Sequence, residues 1–371
     1  MKRRLLMVGR TRYDLPLSET LARKFAALDA ELDVRVLATA RRVTAADSRF
    51  RLYRPLPLGP LEGAAFYALL PFRVARELRR FRPDAVLAQG GQETALVLLG
   101  RAMARSQAKV ILDVHGDWRA PTRLYGSPGR RALAPLGDWL ARVAVRRADA
   151  VRTISAYTSG LVRAEGVEPA AEFPAFMDLE PFVATPPAPL PEQPTVLFVG
   201  VLERYKAVDV LAEAWRRVAA RMPEARLRII GSGTMSTEVG TLVAELPASV
   251  RWAQTVPTGD VASALDAATV LVLPSRSEGL GRVVVEAFCR GRAVVGSRVG
   301  GIPDLVTDGE TGLLVHPGDA RALADTLVSV LEDRALATRL GVAARAAIEP
   351  WLATPEDYAR RIAGLVEDVC T

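Results

Sequence analysis

Short, continuously apolar runs recur along this chain, each followed by a longer stretch in which apolar residues return every three or four positions. The first half places such runs at Leu5–Val8, Val34–Ala38, Ala85–Ala88, Val110–Val114 and Ala150–Ile154, with helical spacing over about 17–30, 62–81, 92–105 and 130–147. Strands without polar alternation are covered on both faces, so the pattern predicts a parallel sheet flanked by helices. Residues 183–194, VATPPAPLPEQP, break the rhythm with a proline-dense stretch that suits an extended, semi-rigid linker. The alternation then restarts, with strands at Val196–Val199, Leu227–Ile230, Val270–Leu273 and Ala293–Val295 and helices near 207–221, 236–246 and 281–290. A last helical pattern, Pro355–Val369, follows the interruption at Pro350-Trp351.

The expected fold is α/β: two doubly wound, Rossmann-like parallel-sheet domains with an interdomain cleft. The expected boundaries are a first domain over 1–182, the linker over 183–194, a second domain over 195–349 and a C-terminal helix over 350–371 that crosses back to the first. Ligands of open α/β sheets bind outside the carboxyl ends of the strands. Solute receptors and two-domain dehydrogenases share this plan, so the chemistry must decide. Length agrees with two domains, since 371 residues exceed one ordinary core, and 50 % apolar with 25 % charged residues excludes wholesale disorder.

Two cysteines, Cys289 and Cys370, give no disulfide framework, and with only His115 and His316 no Cys/His zinc cluster assembles. The apolar run after Lys2-Arg3-Arg4 is too short for a signal peptide, and arginines interrupt every segment long enough to span a bilayer. The expected location is cytoplasmic, with any membrane contact peripheral and on the inner face. Charge is uneven: residues 1–194 hold 30 basic and 20 acidic side chains, +10, and the remainder 19 and 22, −3. A basic first half attracts nucleic acid, anionic lipid or a phosphorylated substrate, and charge alone does not choose among them.

Chemistry is densest between Leu271 and Gly301, LVLPSRSEGLGRVVVEAFCRGRAVVGSRVGG. The apolar strand ends at Pro274, a polar loop carries Ser275 to Gly281, and helical spacing continues to about Arg290. Such a unit opens on a helix N-terminus, whose N–H groups and positive dipole favour a phosphate or pyrophosphate. Gly279 and Gly281 let the backbone approach, so the amides of Gly279, Leu280 and Gly281 are the expected donors. Glu278 and Glu286 bracket the pocket, the second about 8 Å down the axis at 1.5 Å per residue. A nucleotide-sugar laid across the N-terminus meets both, one carboxylate at the transferred sugar and the other at the ribose. Two ordinary helix glutamates are the plainer reading of that spacing; the flanking glycines and the turn Gly300-Gly301-Ile302-Pro303 weigh against it.

The run Ser277–Ala287, SEGLGRVVVEA, with Gly291–Val306, Asp308–Val315, Phe198–Leu211 (FVGVLERYKAVDVL), Ile229–Gly233 (IIGSG) and Leu271–Pro274, resembles the donor domain of retaining GT-B glycosyltransferases of family 4. The resemblance is strong over about 195–320 and weak before it. It implies transfer of a hexose from a UDP- or GDP-sugar co-substrate to a hydroxyl of a glycan, lipid-linked or small-molecule acceptor, by same-face displacement, with no other cofactor, no metal and no nucleic acid. By position it makes Glu278 the carboxylate at the donor sugar, Glu286 the ribose ligand and Lys206 the cation at the diphosphate. Gly231 and Gly233 then line the donor pocket, and backbone near Val256 reads the base. The chain has no Asp-x-Asp pair of the kind metal-dependent transferases use. One departure is Gly200-Val201-Leu202, where the family pattern commonly reads Gly-Arg-Leu; Arg204 is the candidate replacement cation.

In the first half, Asp113-Val-His-Gly-Asp117 follows an apolar strand and puts His115 at its carboxyl end. The resemblance makes His115 the group that hydrogen-bonds a donor-sugar hydroxyl. Two stretches read as loops for the acceptor, Gly9–Asp14 with Arg12 and Asp14, and Trp118–Gly126 with Trp118 and Arg119. The helix Pro71–Arg82 carries an arginine-dense face able to lie on an anionic membrane. Alternatives are a nucleotide-sugar-binding protein without turnover, a GT-B sugar-nucleotide epimerase and an NAD-dependent dehydrogenase. The last lacks support, because neither Gly9 nor Gly231-Ser232-Gly233 opens a Gly-x-Gly-x-x-Gly.

Overall fold

The computed structural model describes residues 2–55, 62–120 and 133–371. The described residues up to Asp178, with Ala353–Thr371, form one compact unit, and Leu179–Leu352 form another. The first contains β1 (Arg4–Leu15), α1 (Glu19–Glu31), β2 (Asp33–Val43), β3 (Phe50–Tyr53), α2 (Glu62–Phe81), β4 (Ala85–Gln89), α3 (Gly91–Ala104), β5 (Lys109–Val114), α4 (Ala134–Arg147), β6 (Ala150–Thr153), α5 (Ala156–Arg163) and β7 (Ala171–Glu172). Its seven strands are parallel in the order β3-β2-β1-β4-β5-β6-β7. Leu5, Leu6, Val86, Val110, Ile111 and Leu112 are fully buried, as strands covered on both faces require.

The second unit runs α6 (Glu180–Val183), β8 (Thr195–Val199), α7 (Val208–Arg221), β9 (Arg226–Ile230), α8 (Ser236–Glu245), β10 (Val250–Ala253), α9 (Thr258–Asp266), β11 (Val270–Leu273), α10 (Arg282–Cys289), β12 (Ala293–Ser297), α11 (Ile302–Leu305), β13 (Gly312–Val315), α12 (Ala320–Glu332) and α13 (Arg334–Ala346). Six parallel strands order as β10-β9-β8-β11-β12-β13. The final helix, α14 (Pro355–Cys370), belongs to the first unit. Thr354 and Asp357 form a capping box at its start, and Tyr358, Ile362, Leu365 and Val366 enter the core around Leu5, Phe25 and Phe173.

Three differences from the expected layout have physical causes. First, β1 continues to Leu15, so Gly9–Asp14, expected as a turn, is strand paired with β2 after a register shift beyond Val8. Its apolar signal is sparse because Arg10, Arg12 and Asp14 face outward, while Tyr13 packs edge-on against Phe25 and Phe50 at ring separations of 6.1 and 5.1 Å. Second, β3, β7, β10 and β13 have no counterpart among the expected strands, and all four are sheet edges. Third, the unit boundary falls at Asp178/Leu179, and the proline-rich stretch lies on the second unit. Arg290 donates to the carbonyls of Phe182, Thr185 and Pro186, Arg292 to those of Ala188 and Pro189, and Arg334 to those of Leu190 and Pro191. Proline brings no N–H to a sheet, so arginine side chains supply the donors these carbonyls need.

Candidate functional site

In the second sheet, strand order reverses between β8 and β11, and the loops after these two strands meet. That switch point is where doubly wound sheets take ligands. After β8 the chain makes one 3₁₀ turn, Arg204–Lys206, and Lys206 is buried to 9 % exposure. After β11 the loop carries Ser275, Arg276 and Glu278. The Lys206 ammonium pairs with Glu278 Oε1, to which the buried Ser275 hydroxyl also donates at 3.2 Å. The residues are 72 apart in sequence. Arg276 clips the two loops together: its guanidinium grips Asp209 at 2.8 and 2.7 Å and reaches the Arg204 carbonyl at 3.0 Å, and its N–H donates to the Tyr205 carbonyl at 2.6 Å.

Gly281 caps α10, following Gly279 and the buried Leu280. The backbone of this loop rests on the Gly300-Gly301 turn, where Gly301 N–H donates to the Glu278 carbonyl at 3.1 Å. Gly300 has φ +59°, and a β-carbon there would stand 2.0 Å from that same carbonyl oxygen, so only glycine fits. Gly231, at φ +151°, is equally constrained, 1.8 Å from the Gly200 carbonyl oxygen for a built β-carbon, and Gly233 lies against the Leu202 backbone. Glu286 is buried within α10 and accepts from Arg282 Nε at 2.6 Å; burial pushes its carboxyl up and Arg282 works against that shift. Val256 is half-buried in the loop between β10 and α9. Arg204 is exposed, and among the described residues nothing engages its side chain; Val201 is exposed as well.

In the first unit the reversal falls between β1 and β4. Here Thr11 donates to Gln89 Oε1 at 3.1 Å, and Gln89 lies 3.3 Å from His115 Nε2, beyond β5. His115 Nε2 stands 2.7 Å from Asp113 Oδ2, and a carboxylate partner makes that nitrogen the protonated one. Asp113 also takes Arg152 Nη1 at 2.5 Å, and Arg152, fully buried, continues to the carbonyls of Phe173 and Pro174. Burial alone would raise the Asp113 carboxyl, but His115 and Arg152 outweigh it and hold it well below the usual range. A cavity of about 90 Å³ opens beside them, lined by Thr11, Tyr13, Lys24, Gln89, His115 and Tyr358. Lys24 Nζ sits 5.2 Å from the Tyr358 ring centre, and burial pushes its pKa down to about 8.

The expected acceptor residues scatter. Trp118 is a core residue, 8 % exposed among Val114, Ala141 and Val145, because an indole this apolar gains more from burial than from a loop position. Arg119 turns onto Asp117 at 2.8 and 3.0 Å. Arg12 pairs with Glu62 at 2.7 Å, and Asp14 lies 3.8 Å from Arg41. The remainder of that loop, Pro121–Gly126, lies outside the described residues. Gln89, Arg152, Lys24, Arg276 and Asp209 were not among the expected residues; only the position of Gln89 at a strand's carboxyl end offered a signal. Among the described residues no group of three or more His, Cys, Asp or Glu is placed to hold a metal, and no helix is long and apolar enough to cross a membrane.

Residues 193–333 match the family described as glycosyl transferases group 1, and residues 18–173 the glycosyl transferase 4-like domain. The chain is 35 % identical over 164 residues to the sulfoquinovosyl transferase SQD2 of Arabidopsis thaliana, covering 43 % of this chain and 31 % of that protein. To a D-inositol 3-phosphate glycosyltransferase of Nocardioides sp. it is 32 % identical over 257 residues, 64 % of this chain and 56 % of that one. The chain thus spans between a third and about half of the length of these relatives. Among solved structures it is similar to sucrose-phosphate synthase from Thermosynechococcus elongatus, with TM-score 0.78, 21 % identity and 99 % of both chains covered. It is also similar to Anabaena HepE in complex with UDP-glucose, with TM-score 0.70, 19 % identity and 98 % and 99 % covered.

Proposed function

Because this chain belongs to the group 1 glycosyltransferases, with the GT-B architecture of two Rossmann-like units, we propose that it transfers a hexose from a UDP- or GDP-sugar to an acceptor hydroxyl with retention of configuration and without a metal. The observation that carries this is the buried Lys206–Glu278 pair beside the α10 N-terminus, at the switch point of the second sheet. In this reading the Lys206 ammonium and the first amides of α10 take the diphosphate, where negative charge grows as the sugar leaves, so their stabilisation is greatest in the transition state. Glu278, released from Lys206 by that exchange, accepts from donor-sugar hydroxyls. Glu286 accepts from the ribose, with Arg282 opposing the upward shift that burial imposes on its carboxyl.

His115 holds a sugar hydroxyl in the same reading, with Asp113 and Arg152 fixing its ring. The departing diphosphate takes the acceptor's proton, so no protein nucleophile is required. The UDP-glucose complex of the structurally similar HepE supports a nucleotide-sugar donor. Arg204, exposed one turn before Lys206, is free to swing onto the diphosphate in place of the arginine that Val201 lacks.

Thermal stabilisation by UDP, GDP, ADP, dTDP and CDP and their sugar conjugates, in EDTA, tests the donor half. One diphosphate at 100 times its Kd should add about 2.7 kcal/mol of apparent stability, and no shift with any of them overturns the reading.

A peripheral contact with an anionic membrane has its own support. Leu69 and Phe72 on α2, Leu99 on α3, and Leu136 and Trp139 on α4 are exposed on three helices packed side by side, among the exposed Arg76, Arg79, Arg80 and Arg142. Co-sedimentation with anionic but not neutral vesicles, reduced by Phe72→Ser with Trp139→Ser, is the expected outcome.

A further inference from the structure

At the β3 edge of the first sheet, Arg12, Thr39 and Tyr53 stand side by side on three adjacent strands, since Arg12 pairs in register with Thr39 and Thr39 with Tyr53. Arg10 from β1, Arg54 after β3 and Arg73 from α2 close the same niche around them. Four guanidinium groups thus meet at the carboxyl end of a parallel sheet with one carboxylate, Glu62, which is already paired with Arg12 at 2.7 Å.

Of the remaining cations, Arg54 and Arg73 lack an anion. Arg73 lies 4.0 Å over the Tyr53 ring; among the described residues it has no carboxylate partner, and burial lowers its pKa. Arg54 is exposed and has no side-chain partner among the described residues. Arg10 hydrogen-bonds Tyr67, whose ring centre lies 5.8 Å away, and interacts with the buried Glu93 behind it. At the floor, Thr39 is 5 % exposed, and its hydroxyl makes no hydrogen bond among the described residues. A buried hydroxyl without a partner is costly, and the partly desolvated Arg73 without a counter-charge adds to that cost. Both costs vanish if an oxyanion enters: its oxygens accept from the guanidinium forks and from the Thr39 hydroxyl. The enclosed space, about 20 Å³, is little more than one water occupies, so only oxygens of an oxyanion enter it and a sugar ring stays outside.

We propose that this niche binds the phosphoryl group of a phosphate monoester, and that the acceptor is therefore phosphorylated. The assignment of the ligand as acceptor rests on the transfer reading above; the anion site itself does not. A dianionic monoester matches the two guanidinium charges left without a carboxylate, Arg54 and Arg73, better than a singly charged carboxylate does.

The experiment is isothermal titration of the full chain with glucose 6-phosphate, inorganic phosphate, dihexanoyl phosphatidic acid and glucose, at constant ionic strength, on wild type and on Arg54→Gln, Arg73→Gln and Thr39→Val. Glucose 6-phosphate should bind, glucose should not, and Kd should rise about tenfold in Arg54→Gln and Arg73→Gln and about threefold in Thr39→Val. Arg54 is exposed, so its variant keeps the fold even if the Arg73 variant does not. Equal binding of inorganic phosphate and the hexose ester supports an anion site but overturns the acceptor assignment. Preferential binding of the lipid ester overturns a soluble sugar-phosphate acceptor in favour of a headgroup. Unchanged Kd in all three variants overturns the site. UDP or GDP stabilisation measured on the same Arg54→Gln protein separates the two readings: a nucleotide shift without monoester binding sinks only this inference, and monoester binding without any nucleotide shift sinks only the donor reading.

Discussion

Beside the second sheet's switch point, Lys206, Arg276 and Arg282 each meet a carboxylate, Glu278, Asp209 and Glu286. In the first unit Arg54 and Arg73 meet none among the described residues, although both sheets reverse their strand order in the same way. A site whose charges are matched within the protein stays ordered while empty and exchanges one internal partner for the ligand. A site with unmatched cations bears a standing cost that only an arriving anion removes. The contrast sets a charge-matched, preorganised cluster in the second unit against unmatched cations in the first.

The largest effect expected from breaking this contrast is at Lys206–Glu278. Glu278→Gln should lower kcat about 10²–10³-fold with the donor KM little changed, since in the proposed transfer its interactions are made at the reacting sugar. Lys206→Met should cost about 3 kcal/mol in denaturant unfolding by stranding the Glu278 carboxylate, and adding Glu278→Gln should recover most of that loss.

A smaller effect, on the order of 3 kcal/mol or less, is expected for Asp113→Asn, which strands the buried Arg152 guanidinium. The Asp113 carboxyl is held below its unfolded value, so its contribution is present above the usual carboxylate range and lost as pH falls. Wild type should therefore lose stability in acid more steeply than the asparagine variant, as acid titration of the unfolding midpoint would record.

The smallest effect sharpens the comparison. Lys24, lowered to about 8 from 10.5, binds fewer protons folded than unfolded between those values, so the molecule gains stability as pH rises through that window. Lys24→Met should stabilise by about 1 kcal/mol at pH 7 and by less above pH 10, read from denaturant midpoints. An equal gain at both pH values would assign the effect to packing instead.

Legibility followed burial. Interior strands such as Leu5–Val8, Val110–Val114 and Val270–Leu273 showed as apolar runs because both faces are covered, whereas the edges β3, β7 and β10 mix arginine or glutamate into short segments and β13 is a four-residue GLLV opened by a glycine. The outer part of β1 was hidden for the same reason. Trp118 misled in the opposite sense, an aromatic beside an arginine that reads as a binding loop yet fills the core.

The alternation of apolar runs and helical spacing was enough to determine two parallel sheets, and the glycines of Ser277–Ala287 were enough to locate the start of α10. Both are local properties, set by which faces of a strand are buried and by what backbone a glycine permits. Which side chains meet was decided only by the tertiary structure: Lys206 with Glu278 across 72 residues, Asp113 with Arg152 across 39, and Arg12, Thr39 and Tyr53 in one row. Those pairings depend on strand order and register, which crossovers between distant segments fix and no local period encodes.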